Sequence, residues 1–423
     1  MKAIKFRLIV MNFLIFAVWG AYLTSMGSYL ARIGMATNIG WFYSVQGIVS
    51  LFMPALIGIL ADRVIPAQKM LGICHLLAAL GMGAAGYMGM VYGDTLTFGQ
   101  LFPFYAFSVA FFMPTIALGN SVSYNALNRA GLDTVKAFPP IRVFGTIGFI
   151  VSMWLVDLLG YQQDHRQFFV SAAWGVILGI YSFTLPECPI NKGGERKGFV
   201  EAMGLRAFTL FKDSKMAMFF IFSMLLGVSL QITNGYANTF ISSFGNIAEY
   251  ADTFAAKHAN MLISLSQISE TLCILLIPFC LKRFGIKKVM LIAMLAWVLR
   301  FAFFGLGNPG NGVWLFVLSC IVYGVAFDFF NISGSLFVDQ NTDTGIRSSA
   351  QGLFMMMTNG FGATVGTLSA QAVVNRIVYT QPEGIPQMSA WTNTWYIFAA
   401  YALVVAVLFA ILFKYKHTAE EAK

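Results

Sequence analysis

VWLFVLSCIVYGVAFDFFNISGSLFV, residues 313–338, holds one charged side chain, the carboxylate of Asp328. Roughly 20 apolar residues in a helix cross the hydrocarbon of a bilayer, so this stretch reads as a transmembrane helix. A carboxylate at its middle costs at least about 2.5 kcal/mol on insertion scales and is kept where it faces a protein interior or a water-filled path. Glu270 stands in the same position within the apolar stretch 258–281. The two carboxylates point to a proton or substrate pathway.

Outward from these stretches, the rest of the chain has the same character. With 423 residues, 58% hydrophobic, 11% charged and a mean hydropathy of +0.72, it carries more apolar surface than a soluble fold of its length can bury. The expectation is an all-α integral membrane protein. Windows of span length fall at 8–30, 40–61, 70–92, 99–124, 138–160 and 167–186, then at 216–242, 258–281, 288–306, 313–338, 348–375 and 391–413. This predicts twelve transmembrane helices in two six-helix halves, 1–186 and 216–423. The hydrophilic stretch 187–215, with Gly193, Gly194, Glu195, Arg196 and Lys197, reads as a cytoplasmic linker. Phe199, Met203, Phe208 and Phe211 give it the pattern of a short interfacial amphipathic helix.

Basic residues orient the predicted spans. With both termini in the cytoplasm, all but six of the 27 Lys and Arg fall inside, which satisfies the positive-inside rule. Arg32, Arg166, Lys257 and Arg376 fall outside, and Arg142 and Arg300 within spans. Topology therefore accounts for the net charge of +9, with no nucleic-acid partner required. The first span, after Lys2 and Lys5, reads as retained. Cys74, Cys188, Cys273, Cys280 and Cys320 and the four histidines lack ligand spacing, so no metal or other cofactor is expected.

Polar residues inside the spans group at helical spacing. Arg142, Thr146 and Phe149 share a face, as do Gln231 with Asn234, Gln267 with Glu270, and Tyr323 with Phe327, beside Asp328. Aromatic faces stack on a heterocycle, and amides and charges read its edges and neighbouring hydroxyls. Single amides and hydroxyls in spans also serve as hydrogen-bond glue between helices, and phenylalanines as packing. Arg300 lies toward the outer end of its span, where snorkelling or a pair with Asp328 would suffice.

Two junctions repeat between the halves. Gly58-Ile-Leu-Ala-Asp62-Arg63, with Lys69 following, and Leu281-Lys282-Arg283-Phe-Gly285-Ile-Lys287-Lys288 are both short basic turns after a second span, and a charged latch at Asp62 and Arg63 is plausible chemistry. The first resembles the loop motif of the major facilitator superfamily, although Val64 to Gln68 lacks the later Gly and Arg. The strings Phe138-Pro-Pro-Ile-Arg142-Val-Phe-Gly-Thr146-Ile-Gly-Phe149, Leu230-Gln231-Ile-Thr-Asn234, Ser266-Gln267-Ile-Ser-Glu270 and Tyr323-Gly-Val-Ala-Phe327-Asp328 resemble the nucleoside:proton symporter family of that superfamily. The resemblance runs from Trp19-Gly20 to Phe413-Lys-Tyr-Lys-His417.

It implies the major facilitator fold, with two halves rocking around a midplane site, and uptake of nucleosides such as uridine and adenosine with protons across the inner membrane. It places nucleoside binding on Arg142, Thr146, Phe149, Gln231, Asn234, Gln267, Glu270, Tyr323 and Phe327, and proton coupling on Asp328. A monomer among membrane lipid is expected. A symporter for a sugar or another polar solute, or a narrower purine-nucleoside permease of xanthosine type, are the alternatives. An enzyme is not expected, because no spacing assembles a nucleophile with a base or a metal.

Overall fold

In a computed structural model the chain is described over residues 2–190, 205–343 and 347–415, without side chains at 62, 63, 135, 347 and 348. Among the described residues all regular structure is helical. That follows from the solvent: with no water to bond to in lipid, a spanning backbone must satisfy its N–H and C=O groups within the segment. The chain divides into two compact units, Met1–Gly198 and Phe199–Lys423.

The first unit contains α1 (Lys2–Gly20), α2 (Met26–Arg32), α3 (Ile39–Ser50), α4 (Met53–Arg63), α5 (Ala67–Tyr92), α6 (Phe98–Arg129), α7 (Thr134–Leu158) and α8 (Arg166–Ser182). The second contains α9 (Ser214–Leu230), α10 (Ile232–Ser243), α11 (Ala259–Ile274), α12 (Ile277–Phe284), α13 (Ile286–Leu306), α14 (Val313–Gln340), α15 (Arg347–Met355), α16 (Ala363–Ile377) and α17 (Ile385–Leu412). Among the described residues eight helical stretches, with α9 and α10 counted as one, are long and apolar enough to cross a membrane, and two bent pairs raise that to ten. The other two expected spans are a short helix and an interrupted one. α8 has 17 residues, and a π-helical turn, Met356–Gly362, joins α15 to α16.

The bends have a common cause. α3 meets α4 at 42° and α11 meets α12 at 57°, and Pro54 and Pro278 lie in the first turns of α4 and α12. A proline lacks the amide that would continue the ladder, and its ring displaces the preceding turn. The second span of each unit is thus broken by the same device. The first expected span, 8–30, is also broken. It runs as α1 to Gly20 and resumes as α2, with Leu23 N donating to Trp19 O at 3.0 Å and Met26 N to Tyr22 O at 2.9 Å across the turn.

Glycines bring particular helices backbone to backbone. A Cβ on Gly148 would lie 2.1 Å from the carbonyl oxygen of Phe13, and one on Gly20 2.4 Å from that of Phe149. α1 and α7 therefore pack with no side chain between them, the close approach that small residues allow in membrane bundles. The second unit repeats the arrangement between α9 and the π-turn with α16. Cβ atoms on Gly227, Gly362 and Gly366 would lie 2.3 Å from Thr358 O, 2.4 Å from Met224 O and 2.2 Å from Val228 O.

Outside the spans, Arg166 binds both oxygens of Asp164, at 2.9 and 3.0 Å, and Arg32 Nη1 reaches Asp94 at 3.1 Å. Partial burial pushes the Asp164 carboxyl up, but the hydrogen bonds from Arg166 and the charges of His165 and Arg166 outweigh it and leave it below its ordinary value. A carboxylate so lowered stabilises the loop above its unfolded pKa, and the tie is lost as pH falls through the folded value.

Of the residues expected to form an interfacial helix, Phe199 and Met203 lie outside the described residues. Phe208 and Phe211 lie on a 3-10 turn, Leu205–Lys212, with their rings stacked at 5.9 Å. The latch expected at Asp62 and Arg63 rests on side chains outside the described set.

Gly148→Leu should separate α1 from α7 and cost about 1–3 kcal/mol, as overpacking of a filled interior does. The purified protein should melt at a lower temperature, whereas Gly58→Ala, whose added Cβ meets no atom within 4 Å, should not. Equal melting of Gly148→Leu and the parent would remove the close-packing argument.

Candidate functional site

In the first unit the expected residues lie along α7. Arg142 is half-buried, with its guanidinium carbon 3.9 Å from the centre of the Phe16 ring on α1. Gly145, one turn away, makes room for that contact: a Cβ there would lie 2.7 Å from both Arg142 Nη1 and Phe16 Cδ2. Thr146 is half-buried one turn beyond Arg142, and Phe149 is buried, edge-on to Trp19 at 6.2 Å. The tight contact between α1 and α7 thus fixes the cation and both rings beside it.

In the second unit the expected residues come from three spans. Asn234 Nδ2 donates to Gln231 Oε1 at 2.9 Å, joining the pair read at i, i+3. Tyr323 and Phe327 stack at 5.6 Å with their planes 14° apart. Gln267 is buried, and its side-chain oxygen accepts no hydrogen bond. Glu270 is half-buried and Asp328 is 6% exposed. Both carboxylates act electrostatically on the Tyr323 hydroxyl, as does Arg300. α14 approaches α11 closely because Gly324 has no side chain; a Cβ there would lie 2.5 Å from Ser269 O.

Arg300 does not snorkel. It is 2% exposed, and its Nε donates to Thr233 Oγ1 at 3.4 Å and its Nη1 to Ser266 Oγ at 3.3 Å and Ser319 O at 2.8 Å. Its guanidinium carbon lies 4.5 Å from the Tyr323 ring centre and 5.3 Å from that of Phe304. Burying an ion costs several kcal/mol. Hydrogen bonds to a charged group return about 1.5–3 kcal/mol each, and a desolvated ring face about 2, so the site can hold the cation. Thr233, Ser266 and Ser319 were not singled out from the sequence. The available signal was that Ser266 stands one turn before Glu270, and Ser319 one turn before Tyr323.

A shallow apolar groove on the first unit, lined by Leu76, Ala79, Leu80, Gly83, Ala84, Tyr87 and Val176, contains none of these residues.

Residues 1–418 match the family described as Nucleoside H+ symporter. The chain is 46% identical to the nucleoside permease NupG of Escherichia coli, covering 98% of this chain and 97% of that protein. It is also 46% identical to the xanthosine permease of the same organism, covering 100% and 98%. A crystal structure of NupG superposes with a TM-score of 0.87 over 98% of this chain and 100% of that one. A D-xylose-proton symporter, 12% identical and covering 98% of each chain, superposes at 0.71 and shares the fold. An all-helical membrane protein with the major facilitator fold, and not an enzyme, the chain belongs to the nucleoside H+ symporter family.

Proposed function

We propose that this protein takes up nucleosides together with protons by alternating access, and that the residues described above are its binding and coupling groups. The observation that carries the reading is the parallel Tyr323 and Phe327 pair on α14, together with the buried, unsatisfied side-chain oxygen of Gln267 on α11, the helix that packs against it. A flat aromatic pair receives a nucleobase face, and an open acceptor receives an N–H or a hydroxyl. Gln231 and Asn234 supply amide donors and acceptors for base edges. Gln267 and Glu270 suit the ribose hydroxyls. Arg142, Thr146 and Phe149 contribute a cation, a hydroxyl and a ring to the same task.

Asp328 is the proton carrier in this scheme. Protonation removes a buried charge and deprotonation restores it, so the two states differ in free energy with the proton gradient. A membrane potential adds about 2.3 kcal/mol per charge per 100 mV. The bias of basic residues supports both termini in the cytoplasm and an inner-membrane location. The protein acts as a monomer. Equal identity to the xanthosine permease favours a second reading, a carrier narrowed to purine nucleosides.

Labelled uridine uptake into proteoliposomes under an imposed pH gradient, competed by purine nucleosides, tests both readings. Accumulation of uridine supports the general one, and accumulation of xanthosine without uridine the narrower one. Displacement by a hexose alone would replace nucleosides with sugars as the substrate.

Asp328→Asn should abolish gradient-driven accumulation while leaving exchange of labelled for unlabelled nucleoside, because a permanently neutral side chain still binds but cannot cycle its charge. Wild-type accumulation in that variant would move the coupling role to Glu270.

Stacking on an aromatic is worth about 1–3 kcal/mol per base, so Phe327→Ala and Phe149→Ala should each weaken uridine binding by about tenfold or more in calorimetry. Unchanged affinity in both folded variants would make these rings packing residues.

Losing one partner of a buried polar contact costs about 1–3 kcal/mol. Glu270→Gln and Gln267→Ala should accordingly weaken uridine binding, and free uracil or ribose should compete poorly with the whole nucleoside. Displacement of uridine by uracil as effective as by uridine itself would discard the two-part site.

A further inference from the structure

Arg300 carries a charge that the transport scheme above leaves unused, and it hydrogen-bonds to three other helices of the second unit. Thr233 on α10, Ser266 on α11 and the Ser319 carbonyl on α14 all accept from its guanidinium. Ser319 Oγ returns a hydrogen bond to the Arg300 carbonyl at 2.8 Å. The guanidinium so fixed lies 4.5 Å from the ring centre of Tyr323 and 5.3 Å from that of Phe304, and Tyr323 in turn lies parallel to Phe327. Guanidinium, phenol and phenyl thus form one column from the interior of the bundle to the half-buried ring proposed to stack on the base.

The three acceptors of the guanidinium are neutral. Glu270 on α11 and Asp328 on α14 act on the same Tyr323 hydroxyl as Arg300 does. Of the other titratable groups, Cys320 on α14 faces the guanidinium and Cys273 on α11 faces Asp328. α17 packs Trp395 against Phe301 and Tyr396 against Gly305, neither of them charged.

We propose that Arg300 is the positioning residue of the nucleoside platform, holding Tyr323 flat against Phe327. This rests on the nucleoside reading of the same site. Lysine cannot replace it, because an ammonium on a flexible stem offers neither a flat face nor a planar fork to oxygens on separate helices. It would keep only the charge.

The experiment measures uridine affinity by calorimetry for the purified wild-type protein, Arg300→Gln and Arg300→Lys, with Arg300→Gln repeated in a Tyr323→Ala background as the decisive reading. Arg300→Gln should weaken binding about tenfold in the wild-type background and have little further effect once Tyr323 is truncated, because residues that act through one another are not additive. Arg300→Lys should weaken binding comparably, since the charge alone does not hold the ring. Losses from Arg300→Gln and Tyr323→Ala that add in full, or wild-type affinity in Arg300→Lys, overturn the proposal. If Arg300→Gln does not fold, Thr233→Val with Ser266→Ala decides: affinity reduced several-fold supports positioning, and unchanged affinity overturns it. A wild-type protein that binds no uridine would overturn the nucleoside reading itself, a result distinct from additive losses in a protein that binds.

Discussion

A bilayer interior offers no water, so each polar group carried into it must find its partner in the chain. The backbone meets that demand by coiling, which leaves side-chain polarity as the only freedom the sequence has in the membrane. Where a carboxylate, an amide or a guanidinium stays in a span, neighbouring helices must come close enough to answer it. Gly324 is an example: its missing side chain lets α14 reach α11, the helix that carries Ser266, Gln267 and Glu270.

The two cations within the spans, Arg300 and Arg142, are accommodated differently. Arg300 has hydroxyls and a carbonyl around it and two aromatic rings close by, and its cost is offset by many modest gains. Arg142 rests on the face of Phe16 and remains half-buried. A cation kept partly accessible is available to a ligand, while one enclosed by the protein acts on its surroundings. Their environments therefore suit them to different tasks.

Much of this was legible in the sequence. Span positions follow from apolar length, and the pairing of Gln231 with Asn234 and of Tyr323 with Phe327 follows from helical spacing, since both contacts are local. The breaks were harder to read. Pro54 and Pro278 sit within apolar windows that hydropathy treats as continuous, and the π-turn at Met356–Gly362 changes hydrogen-bond register without changing composition. The enclosure of Arg300, in place of snorkelling, was hidden for a related reason. Its partners come from other helices, and a one-dimensional pattern does not show which serine faces which arginine.

The glycine seams bear on how the protein can deform. Two helices whose backbones touch, as α1 and α7 do at Gly20 and Gly148, act there as a single thicker beam, and bending stiffness rises steeply with thickness. Compliance is left to places where the ladder is already interrupted, at the proline breaks between α3 and α4 and between α11 and α12. The carboxylate of Glu270 lies on α11 just before the second of these breaks. A change in its charge therefore acts at the end of a short lever beside a soft joint, so a local event at one side chain can be converted into rotation of a whole segment.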